Sequence, residues 1–255
     1  MSRQAPESVR SLDRGLRLLQ AMNSNPRASV TELARSIDVP RSTAYRLLDT
    51  LVGLGFVSLS ATGGYSLSAQ VRTLSDGFID EAWLGPAWEE LVRLGEQLVW
   101  PVSLFTCEAA TMVIRRTTHE LSTMSIDYGM SGRRLPITET AAGRCYLAFC
   151  PEGERRLILD MPAAYIGGQG TRLERMAMEE KLESVRARGF DTRLGGLVAK
   201  TGSVAVPVII NDKVLCCTSV IFIASALSLD RAVAEFELPM KAFADRLSAR
   251  LIDVT

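Results

Sequence analysis

The sequence predicts an α+β protein in two parts, a small helical domain with a hairpin and a larger domain with helices on a mostly antiparallel sheet. At 255 residues the chain is too long for one small helical unit and suits a small domain plus one of ordinary size. Apolar residues recur at helical spacing up to about residue 51 and then alternate at strand spacing around turn residues. Beyond residue 100, short apolar segments typical of strands are followed by helical patterns and then by further strands.

Composition and charge narrow the classes of function. The chain is 47% hydrophobic and 23% charged and has no run of about eighteen apolar residues without a charge, so no membrane span is expected. Residues 1–10 lack the apolar stretch of a secretory signal, which favours a cytoplasmic location. Residues 1–73 hold nine Lys and Arg against five Asp and Glu, whereas the remainder holds twenty against twenty-four. This asymmetry is expected if only the first part touches a polyanion.

The first part is predicted to contain three helices. Apolar residues at helical spacing indicate a first helix over residues 11–22. Ser29 and Glu32 have the spacing of a capping box, in which each side chain satisfies an orphan amide, so a second helix is predicted to begin at or near Ser29. Pro40 suits the first turn of a third helix, because its missing N–H would be unpaired there in any case. That third helix is predicted over residues 41–51.

The third helix has the candidate DNA-binding residues. Its inward stripe is apolar, which leaves polar and cationic side chains outward near its N-terminus: Arg41, Ser42, Thr43, Tyr45 and Arg46. These side chains can donate to phosphates or base edges, and the amino end of a helix favours an anion. Residues 56–59 and 65–67 flank a glycine-containing turn and predict a hairpin. The sequence therefore predicts a winged helix-turn-helix over residues 1–68 that binds double-stranded promoter DNA.

A linker helix and a larger domain are predicted to follow. A helical stripe over residues 69–79 is interrupted at Gly85-Pro86, which places a linker at residues 69–85 and the second domain at residues 86–255. The predicted strands of that domain are residues 102–107, 112–117, 122–128, 202–210 and 214–223. Its predicted helices are residues 139–149, 152–159, 172–188 and 231–252. This order indicates a mostly antiparallel sheet with helices packed against it.

Several stretches resemble the IclR family of bacterial transcription regulators. Its DNA-binding half is similar to SVRSLDRGLRLL at residues 8–19, PRSTAYRLL at 40–48 and GYSL at 64–67. Its effector half is similar to TAAGRCYLAF at residues 140–149 and GSVAVPV at 202–208. Within the family, VWP at 99–101, RTTH at 116–119 and GRRLP at 132–136 resemble MhpR-type activators, which govern 3-hydroxyphenylpropionate catabolism.

The resemblance implies a particular architecture and a class of ligand. It implies a GAF-like α/β effector domain, a linker helix, and homodimers that pair through the DNA-binding halves and often form tetramers. The effector that it implies is a small carboxylate or an aromatic acid, and the regulated genes would form a catabolic operon. Because both repressors and activators occur in the family, the resemblance does not imply the sign of regulation.

The resemblance also places the candidate effector-binding residues. Ala141 and Ala142 match the start of a helix that lines the pocket in the family. Ser203 and Ser219 match polar pocket positions on two strands, and Met124 and Leu135 match the apolar wall of the pocket. Amides at a helix start can face an acid group. Arg193 stands where a sensor of a smaller acid in the family has an aspartate, and Ile221 and Phe222 replace a serine and a glycine. The replacements at Ile221 and Phe222 make that wall more apolar, and both departures favour a larger aromatic acid, whereas ordinary sheet packing is the alternative for each residue.

The sequence contains no catalytic or metal-binding constellation. His119 is the only histidine, which excludes metal sites built on a histidine pair, and the five cysteines lack the spacing of a zinc site. Neither a metal nor a cofactor is expected, and the chain is not expected to be an enzyme. The alternatives are a GAF-type redox enzyme that uses Cys107, Cys145 or Cys150, a sensor of a small aliphatic keto acid, and an N-terminal domain without a nucleic-acid ligand.

Overall fold

The computed structural model describes residues 9–77, 80–127, 130–164 and 171–252. The chain divides into two units, residues 1–79 with 127–129, and residues 80–126 with 130–255. This division falls inside the segment that is predicted as a linker. Within the described residues, no helix is both long enough and apolar enough to cross a membrane.

Three helices build the first unit: α1 (Arg10–Ser24), α2 (Val30–Ser36) and α3 (Arg41–Gly53). The predicted capping box is present, because the Ser29 hydroxyl accepts from the Glu32 amide at 3.3 Å and the Glu32 carboxylate accepts from the Ser29 amide at 2.8 Å. Asp38 takes a positive φ of 53° between α2 and α3, a conformation that Asp tolerates better than most residues with a Cβ. The two helices are therefore joined by a tight turn, and the helix-turn-helix prediction is confirmed.

A hairpin follows these helices, as predicted. Strand β1 (Val57–Leu59) pairs antiparallel with β2 (Tyr65–Leu67). Gly55 connects α3 to β1 with a φ of 82°, which lies in the left-handed region that favours glycine. Both strands place side chains against the helices, since Val57 is buried among them and Tyr65 and Leu67 pack at the edge of the same cluster.

The linker helix is shorter than predicted. Helix α4 spans only Gln70–Thr73, turn residues follow to Gly77, and Phe78 and Ile79 lie outside the described residues. The prediction that Gly85-Pro86 interrupts a helix is wrong, because both residues lie in the first turn of α5 (Leu84–Leu98). A proline is tolerated there because the first N–H groups of a helix have no intrahelical acceptor. Gly85-Pro86 therefore marks the beginning of a helix.

Six strands of the described residues form one sheet in the second unit. In chain order they are β3 (Val102–Glu108), β4 (Thr111–Thr117), β5 (Arg134–Pro136), β6 (Asp191–Leu194), β7 (Thr201–Ile210) and β8 (Lys213–Ile223). Their order across the sheet is β5-β4-β3-β8-β7-β6, and every neighbouring pair is antiparallel. The predicted antiparallel sheet is confirmed, although the short strands β5 and β6 are not among the predicted ones.

The predicted strand over residues 122–128 is wrong. Residues 119–127 form turns and irregular chain, and Tyr128 lies outside the described residues. The amides of Leu121 and Ser122 both donate to the carbonyl of Thr118, at 2.9 and 3.0 Å. The Ser122 hydroxyl donates to the carbonyl of Val99 at 2.7 Å. The backbone amides of Leu121 and Ser122 are therefore used in local turns and do not pair with a neighbouring strand.

A β-bulge interrupts the pairing of β3 with β4. The register shifts opposite Arg115, which is the extra residue of β4. Nη2 of Arg115 lies 2.7 Å from Oε1 of Glu81, and Arg116 forms an ion pair with Asp80. Consecutive side chains of a regular strand point to opposite faces, so the bulge allows two adjacent arginines to bind two adjacent acids.

Helices cover both faces of the sheet. The first face packs against α5 and α9 (Leu229–Leu251) through residues that include Val204, Val206 and Phe222. The second face packs against α6 (Ala141–Phe149) through residues that include Phe105, Ala205 and Cys217, and α8 (Arg172–Arg188) packs against α6 in the same cluster. Helix α7 (Glu152–Asp160) follows α6, and short 3-10 turns occur at Ile137–Glu139 and Pro162–Ala164. The α+β fold class is confirmed.

Candidate functional site

One face of α3 is polar and open to solvent. Arg41, Ser42, Tyr45 and Arg46 are exposed, and Thr43 is half-buried at the border of this face. Their spacing puts the four exposed side chains next to one another on the helix, while the opposite side of α3 is buried. The predicted DNA-binding residues are thus brought together on what we call the α3 face. Asp49 lies on the same face one turn further along, and the sequence prediction did not include it.

The N-terminus of α3 has no side-chain cap among the described residues. Pro40 precedes the helix, and its side chain has no oxygen to accept from the first amides. Helix α2 differs, because the Ser29 hydroxyl occupies the equivalent place. An uncapped amino end flanked by Arg41 and Arg46 offers N–H groups and positive charge to a phosphate.

Aromatic contacts connect the α3 face to the hairpin. Nη2 of Arg41 donates to the hydroxyl of Tyr45 at 3.0 Å, and the Arg41 guanidinium carbon lies 5.5 Å from the centre of the Tyr45 ring. The Tyr45 and Tyr65 rings meet edge to face, with centroids 6.4 Å apart and planes at 61°. The Tyr65 hydroxyl donates to Oδ1 of Asp49 at 3.4 Å. Burial, followed by the charge of Asp49, raises the pKa of Tyr65, so the phenol keeps the proton that it donates.

Three of the predicted effector-binding residues form one row across the sheet. Arg193 on β6 pairs with Ser203 on β7, and Ser203 pairs with Ile221 on β8. Ser219 lies two residues along β8, opposite Ser103 of β3. Directly paired residues place their side chains on the same face of a sheet, and this is the face that α6 covers. Ser203 and Ser219 are both buried.

Two further hydroxyls lie on the same face, in the neighbouring row that contains Ser219. Ser103 is fully buried, and its Oγ lies 2.7 Å from Oγ1 of Thr117 on β4. Sequence reasoning missed both residues. The available signal was a serine inside the otherwise apolar start of β3, since a hydroxyl in a buried strand needs a partner.

The start of α6 approaches the same face of the sheet. Ala141 and Ala142 are buried in the cluster that contains Ala205 of β7. The Thr140 hydroxyl caps the helix by accepting from the amide of Gly143 at 2.9 Å. A Cβ on Gly143 would stand 2.8 Å from Cα of Ile137, so the glycine permits a close approach of the preceding turn. The amides of Ala141 and Ala142 stand at the helix start, where no intrahelical carbonyl accepts from them.

Arg193 binds the loop that follows its own strand. Its guanidinium donates to the carbonyl of Gly195, to the carbonyl of Val198 at 3.4 Å, and to the carbonyl and hydroxyl of Thr201 at 3.2 and 2.9 Å. Burial, followed by the charge of Arg144, lowers the pKa of Arg193. An acid at this place would compete with backbone carbonyls for the guanidinium.

The remaining predicted wall residues do not join the row. Leu135 lies on β5 and Arg193 on β6, which are the opposite edges of the sheet. Met124 packs against the cluster of α5 and α9. Phe222 lies in that cluster too, with its ring 6.1 Å from the ring of Phe236. The expectation that Phe222 makes the pocket wall more apolar is wrong, because its side chain lies on the other face of the sheet.

A buried ion-pair network joins α6, α8 and β6. Asp191 has no solvent exposure, and its Oδ2 lies 2.6 Å from Nε of Arg144. Its Oδ1 lies 3.2 Å from Nζ of Lys181 and 3.6 Å from Nη2 of Arg188. Arg144 donates to two backbone carbonyls as well. The network fixes the second turn of α6 relative to the edge strand β6.

The cysteines have the properties of buried structural residues. All five are free thiols, and only Cys107 is partly exposed. Burial raises the pKa of Cys107 to about 11 and that of Cys150 to about 12, and it raises the pKa of Cys145 too. A thiol that stays protonated near neutral pH is a poor nucleophile, which counts against the redox alternative.

His119 and the acidic residues of the described ranges do not come together as metal ligands. His119 is buried, and its Nδ1 lies 2.7 Å from the hydroxyl of Ser125. In the ranges that the structure describes, no group of three His, Cys, Asp or Glu residues could hold a metal ion. The hydrogen-bonded setting of His119 is typical of a structural histidine.

A helix-turn-helix unit with an open cationic face, followed by a unit with helices on an antiparallel sheet, defines the class of DNA-binding transcriptional regulators. The chain belongs to the IclR family of that class. Residues 11–60 match the IclR helix-turn-helix domain, and residues 87–249 match the C-terminal domain of bacterial IclR transcriptional regulators. Members of this family are regulators and not enzymes, so the redox-enzyme alternative falls away.

Individual relatives agree with this assignment. The chain is 28% identical over 194 residues to the transcriptional repressor IclR of Escherichia coli, which covers 73% of this chain and 69% of that protein. It is 28% identical over 206 residues to the Pca regulon regulatory protein of Pseudomonas putida, with coverages of 80% and 70%. The narrower resemblance to MhpR-type activators stays a prediction.

Solved structures share the fold. The IclR of Thermotoga maritima aligns with a TM-score of 0.63 at 19% identity, covering 96% of this chain and 100% of that chain. An IclR homolog from Microbacterium hydrocarbonoxydans, solved in complex with 4-hydroxybenzoate, aligns with a TM-score of 0.62 at 18% identity and the same coverages.

Proposed function

We propose that this regulator binds promoter DNA as a homodimer or tetramer and controls a catabolic operon in response to a small aromatic carboxylic acid. The observation that carries the proposal is the α3 face, where Arg41, Ser42, Tyr45 and Arg46 stand exposed beside an uncapped helix N-terminus. Thr43 completes the set of DNA-binding residues at its border. Arginine in this position suits bidentate contact with guanine or with phosphate.

An apolar stripe on α1 supports assembly from two copies. Val9, just before the helix, and Leu12 and Leu16 within it are 65%, 61% and 51% exposed. Spaced by three and four residues, they share one side of α1 and suit packing against the same helix of a second copy. Two copies related by a two-fold axis would present two α3 helices to a palindromic site.

The effector is assigned to the second unit, between the α6-covered face of the sheet and the start of α6. Ser203 and Ser219 would bond the ring substituents, Ile221 would contact the ring, and the amides of Ala141 and Ala142 would meet the carboxylate. Arg193 would shape the site by holding the loop after β6. Met124 and Leu135 would contribute only through neighbouring side chains.

Two of the relatives support an aromatic acid as the effector. One homolog of the same fold was solved with 4-hydroxybenzoate, and one relative is the Pca regulon regulatory protein. The buried hydroxyls of Ser203 and Ser219 match an aromatic acid that has a hydroxyl group, because a serine hydroxyl can both donate and accept a hydrogen bond. A small aliphatic keto acid is the competing ligand, and the screen below separates the two.

The DNA-binding part is tested with a duplex that the wild-type protein selects from a random pool. Arg41→Ala and Arg46→Ala should each weaken binding to this duplex by about ten- to a hundredfold if the residue reads a base, and should lower the salt dependence if it contacts phosphate. Arg231→Ala, which removes an exposed arginine of the second unit, is the matched control. Unchanged binding by the Arg41→Ala/Arg46→Ala double variant would reject the α3 face as the DNA-binding surface.

The effector part is tested by thermal shift, because a ligand that binds only the folded state raises its apparent stability. Hydroxybenzoates, cinnamates, phenylpropionates and aliphatic keto acids are compared on the full chain. Shifts with the aromatic acids that disappear in Ser203→Val and Ser219→Val are the expected result. A shift with keto acids alone would replace the aromatic acid by the keto acid in the proposal.

A further inference from the structure

We infer that Tyr65 of the hairpin is a positioning residue, which fixes Tyr45 and, through it, Arg41 in the orientation that recognises a DNA sequence. This inference rests on the proposed function of the α3 face. It concerns a residue outside α3 that none of the comparisons assigns a role.

Arg41 is ordered before DNA arrives. An arginine at the first position of an exposed helix can adopt many rotamers, and binding DNA would have to select one of them. Here Nη2 of Arg41 donates a hydrogen bond to the Tyr45 hydroxyl at 3.0 Å, and the guanidinium carbon lies 5.5 Å from the centre of the Tyr45 ring. Only one of the five guanidinium donors is used in this bond, so donors remain for a base edge or a phosphate.

Tyr45 cannot provide this order without support of its own. Its side chain lies at the surface and is 36% exposed. The ring edge contact with Tyr65, at 6.4 Å and 61°, is the geometry that aromatic pairs prefer. Tyr65 is half-buried and packs against the core of the first unit. The contact therefore attaches an exposed side chain to an anchored one.

Tyr65 contacts α3 at two successive turns. Its ring meets Tyr45, and its hydroxyl donates to Asp49 four residues further along the helix. The 3.4 Å length of the bond to Asp49 makes it the weaker of the two contacts. Tyr65 is the first residue of β2 and pairs with Leu59, the last residue of β1. The ring contact should consequently account for most of the positioning effect, and a phenylalanine should replace Tyr65 with little loss.

The test measures recognition of sequence separately from general affinity. Full-length Tyr65→Leu, Tyr65→Phe and Tyr45→Leu are compared with wild type by fluorescence anisotropy, using the selected duplex and a scrambled duplex of equal length and composition. Tyr65→Leu should weaken the selected duplex by about tenfold, while the scrambled duplex changes by less than about twofold, because phosphate contacts do not depend on the rotamer of one arginine. Tyr65→Phe should remain within about threefold of wild type.

A double-variant cycle shows whether Tyr65 acts through Tyr45. If it does, Tyr65→Leu should cause no further loss of binding in a Tyr45→Leu background. Additive losses would overturn the inference, as would equal losses on both duplexes or an unchanged affinity of Tyr65→Leu for the selected duplex. Because Tyr65 packs against the core, Tyr65→Met is measured in parallel and decides the question if Tyr65→Leu does not fold.

Failure of the inference is distinguishable from failure of the proposed function. If Arg41→Ala weakens the selected duplex and the Tyr65 variants do not, Tyr65 has no positioning role and the α3 face still binds DNA. If Arg41→Ala, Arg46→Ala and Tyr45→Leu all bind as wild type does, the α3 face is not the DNA-binding surface and the inference falls with it.

Discussion

Nε of Arg144 on α6 lies 2.6 Å from Oδ2 of Asp191 on β6, and the Asp191 carboxylate has no contact with solvent. Removing one partner of a buried charge is destabilising because water cannot reach the charge to replace the lost interaction. Lys181 and Arg188 still pair with Asp191 in the Arg144→Met variant, so this variant should lower the free energy of unfolding of the second unit by about 2 to 3 kcal/mol, less than the full loss of a buried partner. Urea unfolding followed by tryptophan fluorescence measures this unit, since all three tryptophans, Trp83, Trp88 and Trp100, lie in it.

An exposed pair provides the control for Arg144. Arg156 pairs with Glu152 on the surface of α7, and its side chain is 73% exposed. Arg156→Met should change the free energy of unfolding by less than about 1 kcal/mol, because solvent screens an exposed pair. Similar losses in the two variants would show that the burial of Asp191 does not determine the strength of its pairing.

Gly202 should be intolerant of a side chain. It pairs directly with Phe222, and a Cβ at this position would stand 2.6 Å from Cε2 of the Phe222 ring. Gly202→Ala should destabilise the second unit by about 1 to 3 kcal/mol through overpacking. Gly153→Ala on α7 is the matched control, since a Cβ there meets nothing within 4 Å and alanine favours a helix. If Phe222→Leu does not reduce the penalty of Gly202→Ala, the ring is not its cause.

The capping box of α2 should contribute stability that depends on pH. Hydrogen bonds from the Ser29 amide, and then from its hydroxyl, lower the pKa of Glu32 below its ordinary value of 4.5. A carboxyl whose pKa is lower in the folded state stabilises the fold above its unfolded pKa and loses this effect as pH falls through the folded pKa. Glu32→Gln should thus lower the melting temperature at pH 7, and its difference from wild type should shrink below about pH 4.5.

The stability effects of Glu32→Gln and Ser29→Ala are both measured by unfolding followed by circular dichroism of the helical signal. Ser29→Ala should cost about 1 kcal/mol, the usual effect of losing an N-cap hydroxyl. Thr171 and Glu174 form the same box at α8, so Thr171→Ala serves as the equivalent variant in the second unit. A difference between Glu32→Gln and wild type that does not vary with pH would mean that the carboxylate does not act as the capping acceptor.

Arg193 should affect effector binding through the loop after β6. Since its guanidinium already binds Gly195, Val198 and Thr201, the Arg193→Met variant should weaken an aromatic acid and the corresponding amide equally. Thr201→Val, which removes one acceptor, should weaken both by a smaller factor. Calorimetric titration of both ligands decides this point. A loss of about tenfold or more that is confined to the acid would instead assign Arg193 to the carboxylate.

Local patterns allowed much of the first unit to be predicted. The Ser29 capping box, the placement of Pro40 and the period of apolar residues in α3 depend on neighbours within about four positions. The exposed α3 face follows from the same period. The contact of Tyr45 with Tyr65 could not be predicted, because it depends on how the hairpin returns to the helix.

The second unit shows where local reasoning stops. The row of Arg193, Ser203 and Ile221 is fixed by strand register, which a one-residue shift would alter and which the sequence does not display. The turns over residues 119–127 contain several apolar residues, yet the amides of Leu121 and Ser122 donate to Thr118 and the Ser122 hydroxyl donates to Val99. Residue types alone do not reveal such partners.

Because of the bulge at Arg115, strand β4 can lose one residue there and keep its pairing with β3. Deleting Arg115 would restore regular pairing and would leave Ile114 and Thr117 on their present faces, because Arg115 is the residue without a counterpart on β3. Deleting a residue in the middle of β4 away from the bulge, such as Val113, would instead turn over the residues between the deletion and the bulge. Natural variants of this chain that are one residue shorter should have lost their residue at the bulge, and with it the arginine that binds Glu81.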